Sequence, residues 1–192
     1  MLHDARDETL ATEVMGEDAV RRIVREEVER VLKSDQGAKH AAIIASKGTL
    51  DWAYPPLILA TTSGALGMQT AVFFTFYGLS IIHKDHNKLL KIGPTGNPAM
   101  PMPMPMPQLL TAMPGMVPMA TSMMKSKFKK KNVATIDELL EAALESDVRL
   151  IACQMTMDVF GYEQQDFIDG VEFAGAAAFM SLARKSHTTL FI

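Results

Sequence analysis

The 192-residue chain holds a single cysteine, Cys153, in the string CQMTMDVFGY. The apolar run VRLIA ends at Ala152, helical spacing follows from Gln154 to Phe160, and Gly161 stands where a glycine closes a helix. Cys153 is therefore expected to head that helix. The backbone amides of Gln154, Met155 and Thr156 lack intrahelical partners there and are expected to face the sulfur. A helix start stabilises a nearby negative charge by roughly 0.3 to 2 kcal/mol, which favours thiolate. Apolar Met155, Met157 and Phe160 work against it by desolvation. The competing reading is an inert core cysteine, a common role for this residue. The absence of a second cysteine argues against a dithiol redox cycle, and no nearby His or Asp reads as part of an acyl-transfer triad. What a lone activated thiolate can do is accept a group, sulfur included, and hand it on by exchange with a partner's sulfur.

Other residue groups make weaker cases. His83 and His86 bracket Asp85, but two histidines and one carboxylate without a further ligand do not make a metal site; they are expected to be exposed loop residues, and no metal is expected. The segments TTSGALG (61–67) and 93–96 match neither the dinucleotide nor the P-loop spacing, so no nucleotide cofactor is expected. The tract from Asn97 to Pro107, with alternating Met and Pro, is expected to form polyproline II. It runs into a helix-capable stretch, 108–124, interrupted by Pro114, Gly115 and Pro118. As a lid over the cysteine it would supply soft thioethers; as a subunit or membrane contact it would bury apolar surface; as a Cu(I) site it would use clustered thioethers; plain disorder is the fourth reading. A lid or subunit contact is preferred, because methionine fills gaps before it ligates. Lys125, Lys127, Lys129, Lys130 and Lys131 then follow, either simply solvated or available to an acidic surface or anionic lipid, at about 1 kcal/mol per lysine near a membrane.

These residues need a scaffold. At about 150 residues per domain the chain is one domain with an appendage: an N-terminal helical segment (1–38) and an α/β domain (39–192) carrying the Met/Pro-rich insert (93–124). With 48% hydrophobic and 21% charged residues it can bury a core. A net charge of -3 and 7% aromatics argue against nucleic acid. The lone cysteine and the absence of a secretory signal point to a reducing cytoplasm. Two stretches without Asp, Glu, Lys or Arg, 52–82 and 92–124, are not read as membrane spans, because prolines, glycines and a midway switch to β-branched residues interrupt them.

Residues 17–34 repeat Val20, Ile23, Val24, Val28, Val31 and Leu32 at three- and four-residue steps, an amphipathic helix that packs on its own domain or pairs with a copy of itself. Strands are expected at 40–46, 70–77, 148–152, 170–174 and 188–192, and helices at 54–67, 135–146, 154–160 and 176–185. The strand at 70–77 (TAVFFTFY) has no charge on either face and reads as central. Thr135 with Glu138 is a capping box. Right-handed crossovers then give an open, doubly wound, mainly parallel five-stranded sheet with helices on both faces, preceded by the N-terminal amphipathic helix.

The strings HAAIIASKGTLDWAYPPLILATTSGALGM, FFTFYGL, GNPAMPMPMP, CQMTMDVFGY, DFIDGVEFAG and TTLFI together make the chain resemble the DsrE/DsrF/DsrH-like family. The resemblance is to its longer branch, which carries a Met-Pro insert and has been labelled peroxiredoxin-like, and it covers residues 40–192. It implies a compact α/β protein that carries sulfane sulfur as a cysteine persulfide and relays it between partners, TusA-like carriers among them, in sulfur oxidation or sulfur transfer. It also implies a homo-oligomer. The family's persulfide-bearing cysteine follows a central strand and heads a short helix, and only Cys153 matches it. Some relatives carry further cysteines; here sulfur would pass between chains, or from a small persulfide to Cys153 and onward. The expectation is thus a cytoplasmic sulfur carrier or sulfurtransferase with Cys153 as its site, without cofactor, with peripheral membrane contact as an option. Against it stand a membrane-associated non-catalytic scaffold and a thiol peroxidase, the latter needing a partner's resolving thiol.

Overall fold

The computed structural model describes residues 17–34, 39–93 and 115–192. The chain divides into two units, Met1–Lys39 and His40–Ile192. In the first, helix α1 spans Glu17–Ser34 as expected and leaves Ile23, Val24 and Val28 of its apolar stripe exposed.

The second unit is the α/β domain. Its strands are β1 (His40–Ala45), β2 (Gln69–Phe74), β3 (Arg149–Cys153), β4 (Val171–Ala174) and β5 (Thr188–Phe191), joined in the order β4-β3-β2-β1-β5 with every pairing parallel. Five short apolar runs separated by helical stretches thus make one sheet, and β2 lies at its centre. Helices α2 (Leu50–Ala65), α3 (Leu79–Ile82), α4 (His86–Leu89), α5 (Met116–Lys130), α6 (Ile136–Glu145), α7 (Gln154–Phe160) and α8 (Ala176–Ala183) fill the crossovers. From β1 to β4 the chain steps in one direction across the sheet. The step from β4 to β5 reverses, and right-handed connections then place α8 on the opposite face.

The core follows this division. One face packs Ile43, Val72, Phe74 and Leu150 against Leu57 of α2, Leu140 and Ala143 of α6 and Met157 of α7. The other packs Ala42, Ala71, Phe73, Ile151 and Cys153 against Phe179 and Ala183 of α8. The strand order reverses between β1 and β5, where open sheets commonly leave a crevice. Here Ser46 donates from backbone and hydroxyl to the Ile192 carbonyl, and Ile192 donates to Ile44, so pairing continues past the strand ends.

Three element boundaries differ from the sequence reading. Helix α2 begins at Leu50, with Thr49 as N-cap, so Pro55 and Pro56 lie inside it and not in its first turn. The helix tolerates them because the carbonyls they leave without donors belong to Asp51 and Trp52, both exposed to water. Strand β2 stops at Phe74 and gives way to a 3-10 turn, Phe76–Gly78. Of the stretch 108–124, residues up to 114 lie outside the described residues, as does the whole Met-Pro tract, while α5 takes Pro118 in its first turn, where proline fits.

The early end of β2 has a close-packing cause. The β1–α2 loop and the turn after β2 press together so tightly that a Cβ on Gly78 would lie 2.1 Å from the Ala45 carbonyl oxygen, and one on Gly48 would lie 2.1 Å from that of Tyr77. Both obstacles are backbone, which cannot rotate away. Gly78→Ala is expected to lower the urea midpoint by an amount equivalent to roughly 1 to 3 kcal/mol. Gly93→Ala, whose nearest contact would be an ordinary 3.8 Å, is expected to stay within about 0.5 kcal/mol of the parent.

Candidate functional site

Cys153 is the last residue of β3 and the N-cap of α7, and Gly161 closes that helix with a φ of 71°, as expected from sequence. Parallel register sets Cys153 opposite Ala174 of β4, one residue before the N-cap of α8. Two helices therefore start beside the same strand end. Side chains alternate along β3, so Arg149, Ile151 and Cys153 share the face that α8 covers. The thiol lies with Phe73 and Phe179, whose rings stack at 4.8 Å, and the residue retains 3% exposure.

That alternation decides what the sulfur touches. The Cys153 side chain makes no capping hydrogen bond to the start of α7, so in the thiol state the amides of Gln154, Met155 and Thr156 are not its partners. Gln154 and Met155 themselves are exposed at the carboxyl end of the sheet, whereas Thr156 is buried. The sulfur is thus buried beside a helix start whose first two residues are exposed.

Thr156 has a role that sequence reasoning missed. Its hydroxyl lies 3.1 Å from the Thr75 hydroxyl and accepts a 3.3 Å hydrogen bond from the Phe76 amide. Phe76 takes a φ of 47°, a left-handed conformation rarely adopted by a bulky residue, at a cost of order 1 to 3 kcal/mol. The two threonines hold that turn where β2 leaves the sheet, beside the start of α7. A hydroxyl at the third helical position after the cysteine was the available signal; its partners 80 residues earlier were not.

The histidine pair also departs from expectation. His86 is buried: its Nε2 is 2.9 Å from Asp137 Oδ1 and its Nδ1 is 2.9 Å from the His83 carbonyl. Asn87 donates to Asp137 Oδ2 at 3.0 Å. The expected loop histidine is instead a tie between the α3–α4 connection and the first turn of α6, because a carboxylate 51 residues away reaches it. Asn87, and then His86, hold the Asp137 carboxyl below its ordinary value of 3.8. No group of three or more His, Cys, Asp or Glu side chains suited to a metal occurs among the described residues. Lys127, Lys129 and Lys130 lie in the last turn of α5, where they complement the helix dipole.

Two open clefts flank the sheet. One, of about 720 Å³, is lined by Tyr54, Asn87, Phe128 and Asp137, and the other, of about 650 Å³, by Gln69, Asp147 and Arg149 at the amino ends of the strands. Cys153 lines neither.

Fold and site together define an open parallel α/β domain organised around one strand-end thiol. The chain belongs to the DsrE/DsrF/DrsH-like family, whose model matches residues 37–191. It is 56% identical over 158 residues to the sulfur carrier protein DsrE2 of Allochromatium vinosum, covering 80% of this chain and 98% of that protein. It is 30% identical over 155 residues to the uncharacterized protein YrkE of Bacillus subtilis, covering 80% of this chain and 97% of that one. Among solved structures it shares its fold with the ychN protein of E. coli at a TM-score of 0.51 and 14% identity, over 80% of this chain and 99% of that one.

Two carboxylates set the acid limit of this scaffold. Asp137 is held down as described, and hydrogen bonds of 2.7 and 2.5 Å from Arg149 hold Glu172 below its ordinary 4.5. Folded values below the unfolded ones mean that the stabilisation is complete above the ordinary carboxylate range and lost as pH falls through the lower folded values. Unfolding free energy is therefore expected to decline below about pH 4.5, and Asp137→Asn to flatten that decline, as read by urea titrations at stepped pH.

Proposed function

We propose that this protein is a sulfur carrier in which Cys153 bears sulfane sulfur as a persulfide and passes it to partner proteins. The observation that carries the reading is the 56% identity, spanning 98% of the relative's length, to a protein named as a sulfur carrier, in a chain with one cysteine. The chemistry suits a lone thiol. The Cys153 thiolate attacks the outer sulfur of a donor persulfide, R–S–SH; the donor S–S bond breaks as the new one forms, R–S⁻ leaves, and the proton stays on the transferred sulfur. No net oxidation occurs, so no second cysteine is required.

The geometry supports a role for the strand end. An S–S bond is about 2 Å long, so a persulfide's outer sulfur would stand that much further from Cys153 Sγ. In that position the amides of Gln154, Met155 and Thr156, which the thiol does not engage, become its partners, and the α7 start stabilises its charge. Donor and acceptor are proteins of the TusA type or other persulfide carriers, in cytoplasmic sulfur transfer or sulfur oxidation, and the protein works as a homo-oligomer. No described helix is long and apolar enough to cross a membrane, so contact with a membrane would be peripheral.

Intact-mass analysis after exposure to polysulfide tests the assignment. The parent protein is expected to gain sulfur that a reductant removes, and Cys153→Ser to remain folded and gain none. A Cys153→Ser protein that still acquires reducible sulfur would overturn it.

A further inference from the structure

The surface around the Cys153 strand end is apolar and exposed, and the segment that carries most of it is acidic. Helix α7 turns Gln154, Met155, Asp158 and Val159 outward, with Met155 58% and Val159 71% exposed. Beside them the strained turn after β2 presents Phe76 at 53% and Tyr77 at 68%. Tyr77 packs on Phe160 at 5.6 Å, and Phe160 on Tyr162 at 6.0 Å, so the apolar surface continues to the end of α7. Isolated exposed apolar residues need no explanation, but a contiguous group at the place where a functional thiol must be reached does.

The chain segment that carries most of this group is acidic. From Leu150 to Ala183 the chain contains Asp158, Glu163, Asp166, Asp169 and Glu172 and no lysine, arginine or histidine. Glu172 is paired with Arg149, which leaves four carboxylates on α7 and the loop after it. Two lysines approach from other elements. Lys84 donates to the Gln165 carbonyl at 2.8 Å, and Lys47 lies 3.2 Å above the Trp52 ring.

We infer that the carboxyl end of the sheet is a docking surface for a protein that presents an apolar patch ringed by basic side chains. This rests on the reading of Cys153 as a sulfur carrier and states which donor or acceptor it accepts. Anionic sulfur compounds such as polysulfide or thiosulfate are repelled where Asp158, Glu163 and Asp166 outnumber Lys47 and Lys84, whereas a basic protein surface is steered toward these carboxylates. Once there, the flexible Met155 and the aromatic side chains bury against the partner's apolar patch. Charge thus selects a protein-borne sulfur over a free anion.

The test uses the full-length protein and two peptides of one apolar sequence, each with a single cysteine activated as a mixed disulfide. One peptide is flanked by lysines, the other by glutamates. At low salt Cys153 is expected to react roughly ten-fold or more faster with the lysine peptide, and the difference to shrink as salt is raised. In a variant combining Asp158→Lys and Glu163→Lys, with folding verified by its urea midpoint, the preference is expected to disappear or invert, and loading from polysulfide to speed up. Equal rates for the two peptides in the parent protein, or faster reaction with the glutamate peptide, would overturn the docking surface. Polysulfide loading of the parent is read in parallel: a parent that loads sulfur but shows no peptide preference loses only the docking surface, and one that cannot load at Cys153 loses the carrier reading itself.

Discussion

The buried hydroxyl of Thr156 joins the two pieces of chain at the strand end that carries Cys153. It binds the Thr75 hydroxyl and the Phe76 amide, so the exit of β2 and the first turn of α7 are fixed to one another across 80 residues of sequence. Without that tie, nothing in local preference would keep a phenylalanine in a left-handed conformation. The consequence is functional. The turn that shows Phe76 and Tyr77 to solvent and the helix that starts at the cysteine are held as one surface.

Parallel pairing supplies the rest of the placement. β3 is flanked by β2 and β4, and its alternation assigns Cys153 to the face covered by α8. The thiol therefore packs with Phe179 and Ala183 of the eight-residue helix α8. Burial protects a reactive group from indiscriminate oxidation. Cys153 lines neither of the two open clefts.

Much of this was legible in the residues, and what was not has definite causes. Local chemistry announced α7 to the residue, because a strand-ending alanine, a short helical run and Gly161 act within nine positions. The capping box at Thr135 and Glu138 was equally local and is present. The end of β2 was not legible, since Thr75, Phe76 and Tyr77 continue a β-prone run and only the tight contact with the β1–α2 loop stops it. The start of α2 was missed because two prolines suggest a helix beginning, while the positions they occupy cost the helix only carbonyls that water reaches. His86 seemed a loop residue because its partner, Asp137, lies 51 positions away, and pairing at that distance leaves no spacing pattern. The cysteine's position was readable from sequence; its side-chain direction required knowing which face of β3 each helix covers.

The sulfur atom packed against α8 must become a persulfide whose outer sulfur reaches the helix starts if Cys153 is the carrier site. A crystal structure of the polysulfide-treated protein tests this most directly. It should show one additional sulfur bonded to Cys153 Sγ and within hydrogen-bonding reach of the amides of Gln154, Met155 or Thr156. An unmodified Cys153 still buried in the cluster with Phe73 and Phe179, in crystals of protein shown by mass to have gained sulfur, would contradict it.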